Sequence, residues 1–355
     1  MTSAVLQGSD ANCSDRREFL CGLAGTGAVA ALSGCVSKAL PKEMTSVRAS
    51  TPRFMWAYLA HFGTKLWERR CHYTDLKVDD SMWLSLTDRM AERGLNVLLV
   101  DLAEGMVYPS HPELAVRGSW EPERMKDEIA RLKKMGILAV PKLNFSASHD
   151  QWLGPWRKYL STPEYFQVCR EVIADVAAVF DESPLFHIGC DEETFRIQDV
   201  NRFPYVRLRR GDLWWHDFLW LVDEVQGYGM RPWIWSDYCW THKDEFLARM
   251  PRTVLQSNWY YEREFDLAKL PEGTRPEVET YETLEKRTYD QVPCGSTYSC
   301  DENFGKTVAH CRARIGSGRL KGFLMAPWYY RTQEDKREKI LKSIDIVGDI
   351  IKGVK

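Results

Sequence analysis

The chain has no apolar stretch of about 20 residues, the length a bilayer-spanning helix requires. None of its 10 cysteines forms a CxxC pair, so neither a zinc site nor a redox motif is signalled. It has no charge surplus either, with 48 Lys and Arg against 50 Asp and Glu. A phosphate-binding surface needs a basic excess, so nucleic acid is excluded as the main partner. No internal repeat or low-complexity tract is evident. No glycine-rich phosphate loop follows the first predicted strand, which disfavours an open doubly wound sheet with a dinucleotide site. What is abundant is tryptophan, at 14 residues. Many of them follow β-like runs, where an aromatic face can stack on a sugar ring as well as fill a core.

The first residues read as an address. Ser14-Asp15-Arg16-Arg17-Glu18-Phe19-Leu20 is a twin-arginine pattern, and a weakly apolar run from Gly22 to Gly34 follows it. Leu32-Ser33-Gly34-Cys35 resembles a bacterial lipoprotein cleavage box, which makes Cys35 the residue to be lipidated. Residues 1–34 are therefore expected to be a signal peptide, 35–51 a flexible tether, and 52–355 the folded part. Export through the twin-arginine pathway and a lipid anchor at the periplasmic or cell-surface face are expected, with no other membrane contact. Seven cysteines follow Cys35 in the sequence (Cys71, Cys169, Cys190, Cys239, Cys294, Cys300, Cys311). An odd number argues against a disulfide framework, and free thiols suit a chain that folds in the reducing cytoplasm before export.

From Phe54 onward, strand-like and helix-like segments alternate. Strands are predicted at Phe54–Ala60, Asn96–Leu102, Leu138–Asn144, Leu185–Gly189, Arg231–Ser236, Thr253–Asn258, Gly295–Ser299 and Gly322–Ala326. Amphipathic helices are predicted at Asp80–Arg93, Glu121–Met135, Pro163–Phe180, Asp212–Tyr228, Asn303–Ile315 and Gln333–Ile351. Several helices stop at a glycine (Gly94, Gly136, Gly229, Gly316), and Thr162-Pro163 is a helix start. Eight strands in this alternation predict an α/β fold, a single-domain (β/α)8 TIM barrel. Its chemistry would sit at the strands' C-terminal ends.

Those ends share a composition. The fourth predicted strand runs into Asp191-Glu192-Glu193. The fifth places Trp235 and Asp237 two residues apart, on one face. The sixth ends in Asn258-Trp259-Tyr260-Tyr261, the seventh in Tyr298-Ser299-Cys300-Asp301, and the eighth in Trp328-Tyr329-Tyr330. The third ends at Asn144, with His149 and Asp150 in its loop. Acids at strand ends among aromatic walls fit cleavage of a glycosidic bond, which needs a carboxyl to protonate the leaving oxygen and charge to steady an oxocarbenium-like centre.

His187-Ile188-Gly189-Cys190-Asp191-Glu192 resembles the His-Ile/Phe-Gly-Gly-Asp-Glu signature of family 20 glycoside hydrolases, the β-N-acetylhexosaminidases, with Cys190 in place of the second glycine. The resemblance implies a retaining exo-acting enzyme in which the substrate's own 2-acetamido oxygen attacks the anomeric carbon. Asp191 would orient that acetamide and Glu192 would be general acid, then base; Glu193 has no implied role. It further implies an acetamide pocket lined by Trp235, Trp259 and Trp328. Tyr298 would bond the acetamide and Asp301 a sugar hydroxyl, at a spacing one residue longer than the family's. Asp237 is similar to the family's acid after the fifth strand. Val140-Pro141-Lys142-Leu143-Asn144 is similar to Ile-Pro-Glu-Ile-Asp, with Asn144 replacing the Asp and His149 near a loop His. Tyr330 stands where the family has Glu, and Arg53 is placed as the family's substrate-binding Arg. The implied partner is an N-acetylhexosamine-containing glycan, with no cofactor and no metal.

Two other readings fit the residues. One is a glycosidase of different specificity, with Asp237 or Asp301 as nucleophile. The other is an inactive, glycan-binding lipoprotein. A metal site from His187, Cys190, Asp191 and Glu193 is disfavoured, because Cys190 falls on the opposite strand face from His187 and Asp191.

Overall fold

A period of two decides what lies inside this molecule. The computed structural model describes residues 48–63, 74–201, 203–328, 332 and 334–354. Its strands are β1 (Met55–His61), β2 (Val97–Asp101), β3 (Leu138–Lys142), β4 (Leu185–His187), β5 (Arg231–Trp235), β6 (Leu255–Ser257), β7 (Cys294–Gly295) and β8 (Gly322–Met325). They form an 8-stranded sheet in the order β6-β5-β4-β3-β2-β1-β8-β7, and every pairing is parallel. Bridges between Gln256 and Gln291 and between Trp259 and Cys294 join the two edges. The result is the (β/α)8 barrel that the alternation predicts.

Alternate side chains separate two cores. Met55, Ala57, Leu59, Leu99, Val140, Leu185, Trp233, Leu255 and Leu324 fill the barrel interior. Their neighbours Trp56, Tyr58, Leu98, Phe186, Ile234 and Phe323 pack outward under the helices. The same parity, carried past the strand ends, points His61, Asp101, Lys142, Trp235 and Trp259 inward.

The helices are α1 (Asp80–Arg93), α2 (Pro122–Lys134), α3 (Pro163–Val179), α4 (Phe195–Val200), α5 (Asp212–Gly227), α6 (Tyr238–Thr241), α7 (Lys243–Arg249), α8 (Arg275–Lys286), α9 (Asn303–Arg314) and α10 (Arg337–Gly353). Caps place several of them. The Asp79 side chain accepts from the Ser81 N–H to start α1, and Gly94 ends it at φ 81°. Helix α8 lies where no helix was predicted. Its buried apolar stripe is only Val278, Tyr281 and Leu284, eked out by Thr280 and Thr283, too thin a pattern to read.

Strand β7 corrects the expected Gly295–Ser299. Pro293 offers no N–H just before it. Directly after Gly295, the Ser296 N–H is taken by Asn303 Oδ1 (2.9 Å) and its hydroxyl by the Ala326 carbonyl (2.6 Å). These bonds turn the backbone out of the sheet.

The chain enters from the barrel floor. The Arg48 guanidinium donates to the carbonyls of Asp181 (3.1 Å), Ser183 (2.6 Å) and Tyr228. The Ala49 N–H bonds the Glu182 carbonyl at 2.7 Å. The expected signal peptide, Cys35, most of the tether, Cys71 and Tyr330 lie outside the described residues.

Candidate active site

The turn after β4 is built on left-handed backbone. Gly189 and Cys190 both have φ 70°, and Glu192 has φ 51°. A Cβ on Gly189 would stand 2.2 Å from Asn144 Oδ1, so only glycine fits there. Cys190 and Glu192 take the same region without that freedom. Ala103 and Trp328, just past β2 and β8, also have positive φ. Among the described residues, four of the six such non-glycine residues therefore sit at the barrel mouth, where strain of this kind gathers in functional sites.

That turn is pinned by Asn144. Its Oδ1 accepts from the N–H of Ser146 (3.1 Å) and of Cys190 (3.2 Å), and its Nδ2 donates to Asp191 Oδ1 at 2.6 Å. With Asn144 only 4% exposed, its place is beneath Asp191 as a positioning group. An aspartate there would set one carboxylate against another. The second oxygen of Asp191 lies 3.5 Å from His149 Nε2, which is 3.3 Å from Glu192 Oε2. Burial alone would lower the His149 pKa, but Asp191 and Glu192 override it and hold the imidazolium up to about 9.

Asp237 supports the pair from β5. Its Oδ2 accepts the Glu192 N–H at 2.8 Å. Burial, then the nearby Asp191 charge, pushes its carboxyl up to about 8. Asp237 Oδ1 and Trp235 Nε1 are buried with no hydrogen-bond partner among the described residues. His187 is held neutral by burial. It accepts the Gly189 N–H at Nδ1 (3.1 Å) and sits between Trp233 and Trp235, with ring centroids 5.2 and 4.6 Å away.

Opposite the carboxylates stands an aromatic cup. Trp328 lies 5.9 Å from Trp235 and 6.1 Å from Tyr261, and Tyr261 stacks on Trp259 at 5.0 Å. Trp259, Tyr261 and Trp328, together with His149, Asp191, Glu192 and the exposed Tyr298, line a cavity of about 280 Å³, with Trp235 buried behind Trp328. Tyr261, which no motif singles out, shares the inward parity of Trp259.

Two expected members are elsewhere. Arg53 is exposed and precedes β1, at the floor of the barrel, so it cannot reach a cup formed past the strand ends. Asp301 turns away to bond Lys342 of α10 at 2.5 Å, because β7 ends early and the loop carries Asp301 toward α9.

Glu193 also has a settled place. It is bound by the Arg209 guanidinium at 2.6 Å, and Arg209 also reaches Asp217 (3.3 Å) and the Phe145 carbonyl (2.8 Å). Side chains of the Arg209–Glu193 pair are only 3% and 4% exposed. Asp150 is held the same way by Arg207 (2.8 Å) and Arg157 (3.4 Å), which steadies the loop that carries His149. Because breaking a buried pair strands a charge, Arg209→Ala is expected to cost about 3–5 kcal/mol, read as a lower urea midpoint at unchanged slope. A third missed feature lies below the cup, where the Asp101 carboxylate bonds Lys142 Nζ (2.8 Å) and His61 Nδ1 (3.0 Å). Burial opposes the Asp101 charge, but Lys142 and His61 hold its carboxyl well below the usual range.

The donor atoms of His149, Asp191 and Glu192 lie within 4.8 Å of one another. A cation there would need neutral His149, whereas the two carboxylates already hold its proton. The disfavoured set fares no better, since Glu193 is taken by Arg209 and burial pushes the Cys190 thiol up.

These titrations give stability a sign. The folded His149 pKa lies above its ordinary 6.5, so its contribution is complete below 6.5 and lost as pH climbs through about 9. Asp237 acts the same way, since the folded chain keeps a proton from 3.8 to about 8 that the unfolded chain gives up. Tm is therefore expected to fall steadily from pH 6.5 to 9 in a calorimetric series; a flat profile would contradict the cluster.

No family model matches the sequence, and no curated protein matches it. Solved structures do. The GH20 exo-β-N-acetylglucosaminidase from Vibrio harveyi, in complex with N-acetylglucosamine, superposes with TM-score 0.57 at 14% identity, covering 83% of this chain and 54% of that one. The β-N-acetylhexosaminidase from Bacteroides fragilis gives 0.56 at 14% identity, over 83% and 66%. Dispersin B gives 0.51 at 12%, over 83% and 97%. The chain spans about half the length of the Vibrio harveyi enzyme. It is thus structurally similar to the catalytic domains of family 20 β-N-acetylhexosaminidases, and at these identities the likeness is one of fold.

Proposed function

We propose that the chain is a retaining glycoside hydrolase acting on terminal β-N-acetylhexosaminides, with the substrate's acetamide as nucleophile. The observation that carries this is the different setting of two adjacent carboxylates. Asp191 is buried, fixed by Asn144 and His149, and faces the aromatic cup. Glu192 stands at the rim, where a glycosidic oxygen would lie. Asp191 would align the acetamide so that its oxygen meets the anomeric carbon. Glu192 would give its proton to the departing oxygen and then draw one from the water that opens the oxazolinium ring. Trp235, Trp259 and Trp328 would enclose the acetamide methyl, and the unpartnered Trp235 Nε1 and Asp237 Oδ1 would meet polar groups of the sugar. The name of the Vibrio harveyi relative, bound to N-acetylglucosamine, agrees with this choice of ring. A panel of nitrophenyl glycosides tests it: release is expected from an N-acetyl-β-hexosaminide, and silence across the panel would leave glycan binding without catalysis.

Export and lipidation at Cys35 form part of the same proposal. Cys35→Ala is expected to shift the protein from the membrane to the soluble fraction.

A further inference from the structure

Glu192 faces two spaces. On one side is the aromatic cup; on the other a groove of about 680 Å³ runs between the 190–210 segment and α6. A general acid acts on the oxygen joining two residues, so the cup and the groove would hold what lies on either side of the cleaved bond. On the glycosidase reading above, on which this inference rests, the groove takes the leaving group.

The charge of that groove is lopsided. Glu193 is cancelled by Arg209 at 2.6 Å. Asp237 accepts the Glu192 N–H at 2.8 Å in a setting that favours its neutral form. Against the remaining acid, Glu192, stand Arg196 and Arg210, both exposed and both on the lining. Neither makes an ion pair with any described residue. His242 adds a third basic group, its ring stacked on Tyr238 at 4.3 Å. Phe195 and Val200 on the same lining are 59% and 46% exposed, and give the groove an apolar strip beside its cations. The whole chain carries a net charge of −2, so this cationic surplus is local and does not follow from bulk composition.

We propose that the groove is a leaving-group subsite selective for an anionic saccharide, with Arg196 and Arg210 pairing its carboxylate or sulfate. Guanidinium forks suit either anion, and the apolar strip would carry the sugar's face.

The test measures binding to Glu192→Gln, which keeps the shape and removes the proton. Three β-N-acetylglucosaminyl disaccharides serve as probes: one ending in glucose, one in glucuronic acid, one in a sulfated glucose. The acidic probes are expected to bind about tenfold tighter than the neutral one, near the upper end for two exposed charge pairs on one anion. The gap should close at about 1 M salt, where the Debye length is ~3 Å. Adding Arg196→Ala and Arg210→Ala should bring the ratio to about one, and lysines at both positions should restore part of it. Which acidic probe binds tighter distinguishes carboxylate from sulfate. Equal affinity for all three probes, or a preference that survives the alanine pair, would overturn the proposal. Wild-type turnover without the preference defeats only the groove; the preference without turnover defeats only the glycosidase reading.

Discussion

Glu192→Gln should lower kcat/KM on a β-N-acetylglucosaminyl disaccharide by about 10³-fold, inside the 10²–10⁴ range of general acid–base catalysis. The residue's position makes the loss one of chemistry. Its backbone is fixed by the N–H bond to Asp237 at 2.8 Å and its side chain by His149 at 3.3 Å. An amide of the same shape fills the same place but cannot move a proton. KM should therefore shift little while kcat falls, the signature of an interaction made in the transition state. A nitrophenyl leaving group needs little protonation, so the loss on that substrate should be smaller. Equal losses on both substrates would remove Glu192 from the acid role.

Asp191→Asn is expected to cost about 10²-fold in kcat, the scale of losing one oriented electrostatic group at a reacting centre. The introduced amide can still accept from Asn144 through its oxygen, as Asp191 does at 2.6 Å. Its NH2 would then face His149 Nε2, donor against donor, where Asp191 now presents an oxygen at 3.5 Å. The His149 pKa, held at about 9 chiefly by Asp191 against burial, should drop toward its ordinary value. The imidazole resonances reported against pH give a readout that damaged packing alone would not produce. A loss of activity with His149 still titrating near its present value would contradict the linkage.

Much of this site was legible because strand parity is a local property. Trp235 ends β5 facing inward, and Asp237, two residues on, is also carried to the barrel mouth, where it accepts the Glu192 N–H. The triplet after β4 was legible as a cluster of acids at the barrel mouth, and Glu193, which carried no implied role, is paired with Arg209. Its actual partner, Arg209, was not legible, because a buried arginine 16 positions away leaves no periodic trace. Lys142, His61 and Asp101 escaped for a similar reason: each ends a different strand, and only the register of β1, β2 and β3 sets them side by side. Arg53 and Asp301 failed on geometry. Arg53 stands before β1, whereas a residue that meets the mouth must follow a strand. Asp301 was counted along a strand that stops at Gly295, and beyond that point the alternation no longer says which way a side chain turns. Helix α8 was hidden by its threonines.

In the proposed mechanism the substrate's acetamide does the work of a nucleophile. This role is tested most directly by comparing nitrophenyl N-acetyl-β-glucosaminide with nitrophenyl β-glucoside, which has a hydroxyl at the same carbon, on the wild-type protein. The mechanism predicts hydrolysis of the first at a rate above the second by about 10³-fold or more, given the advantage of an oriented intramolecular group. Comparable rates on the two, or a covalent adduct at Asp237 trapped with a 2-fluoro sugar, would contradict it.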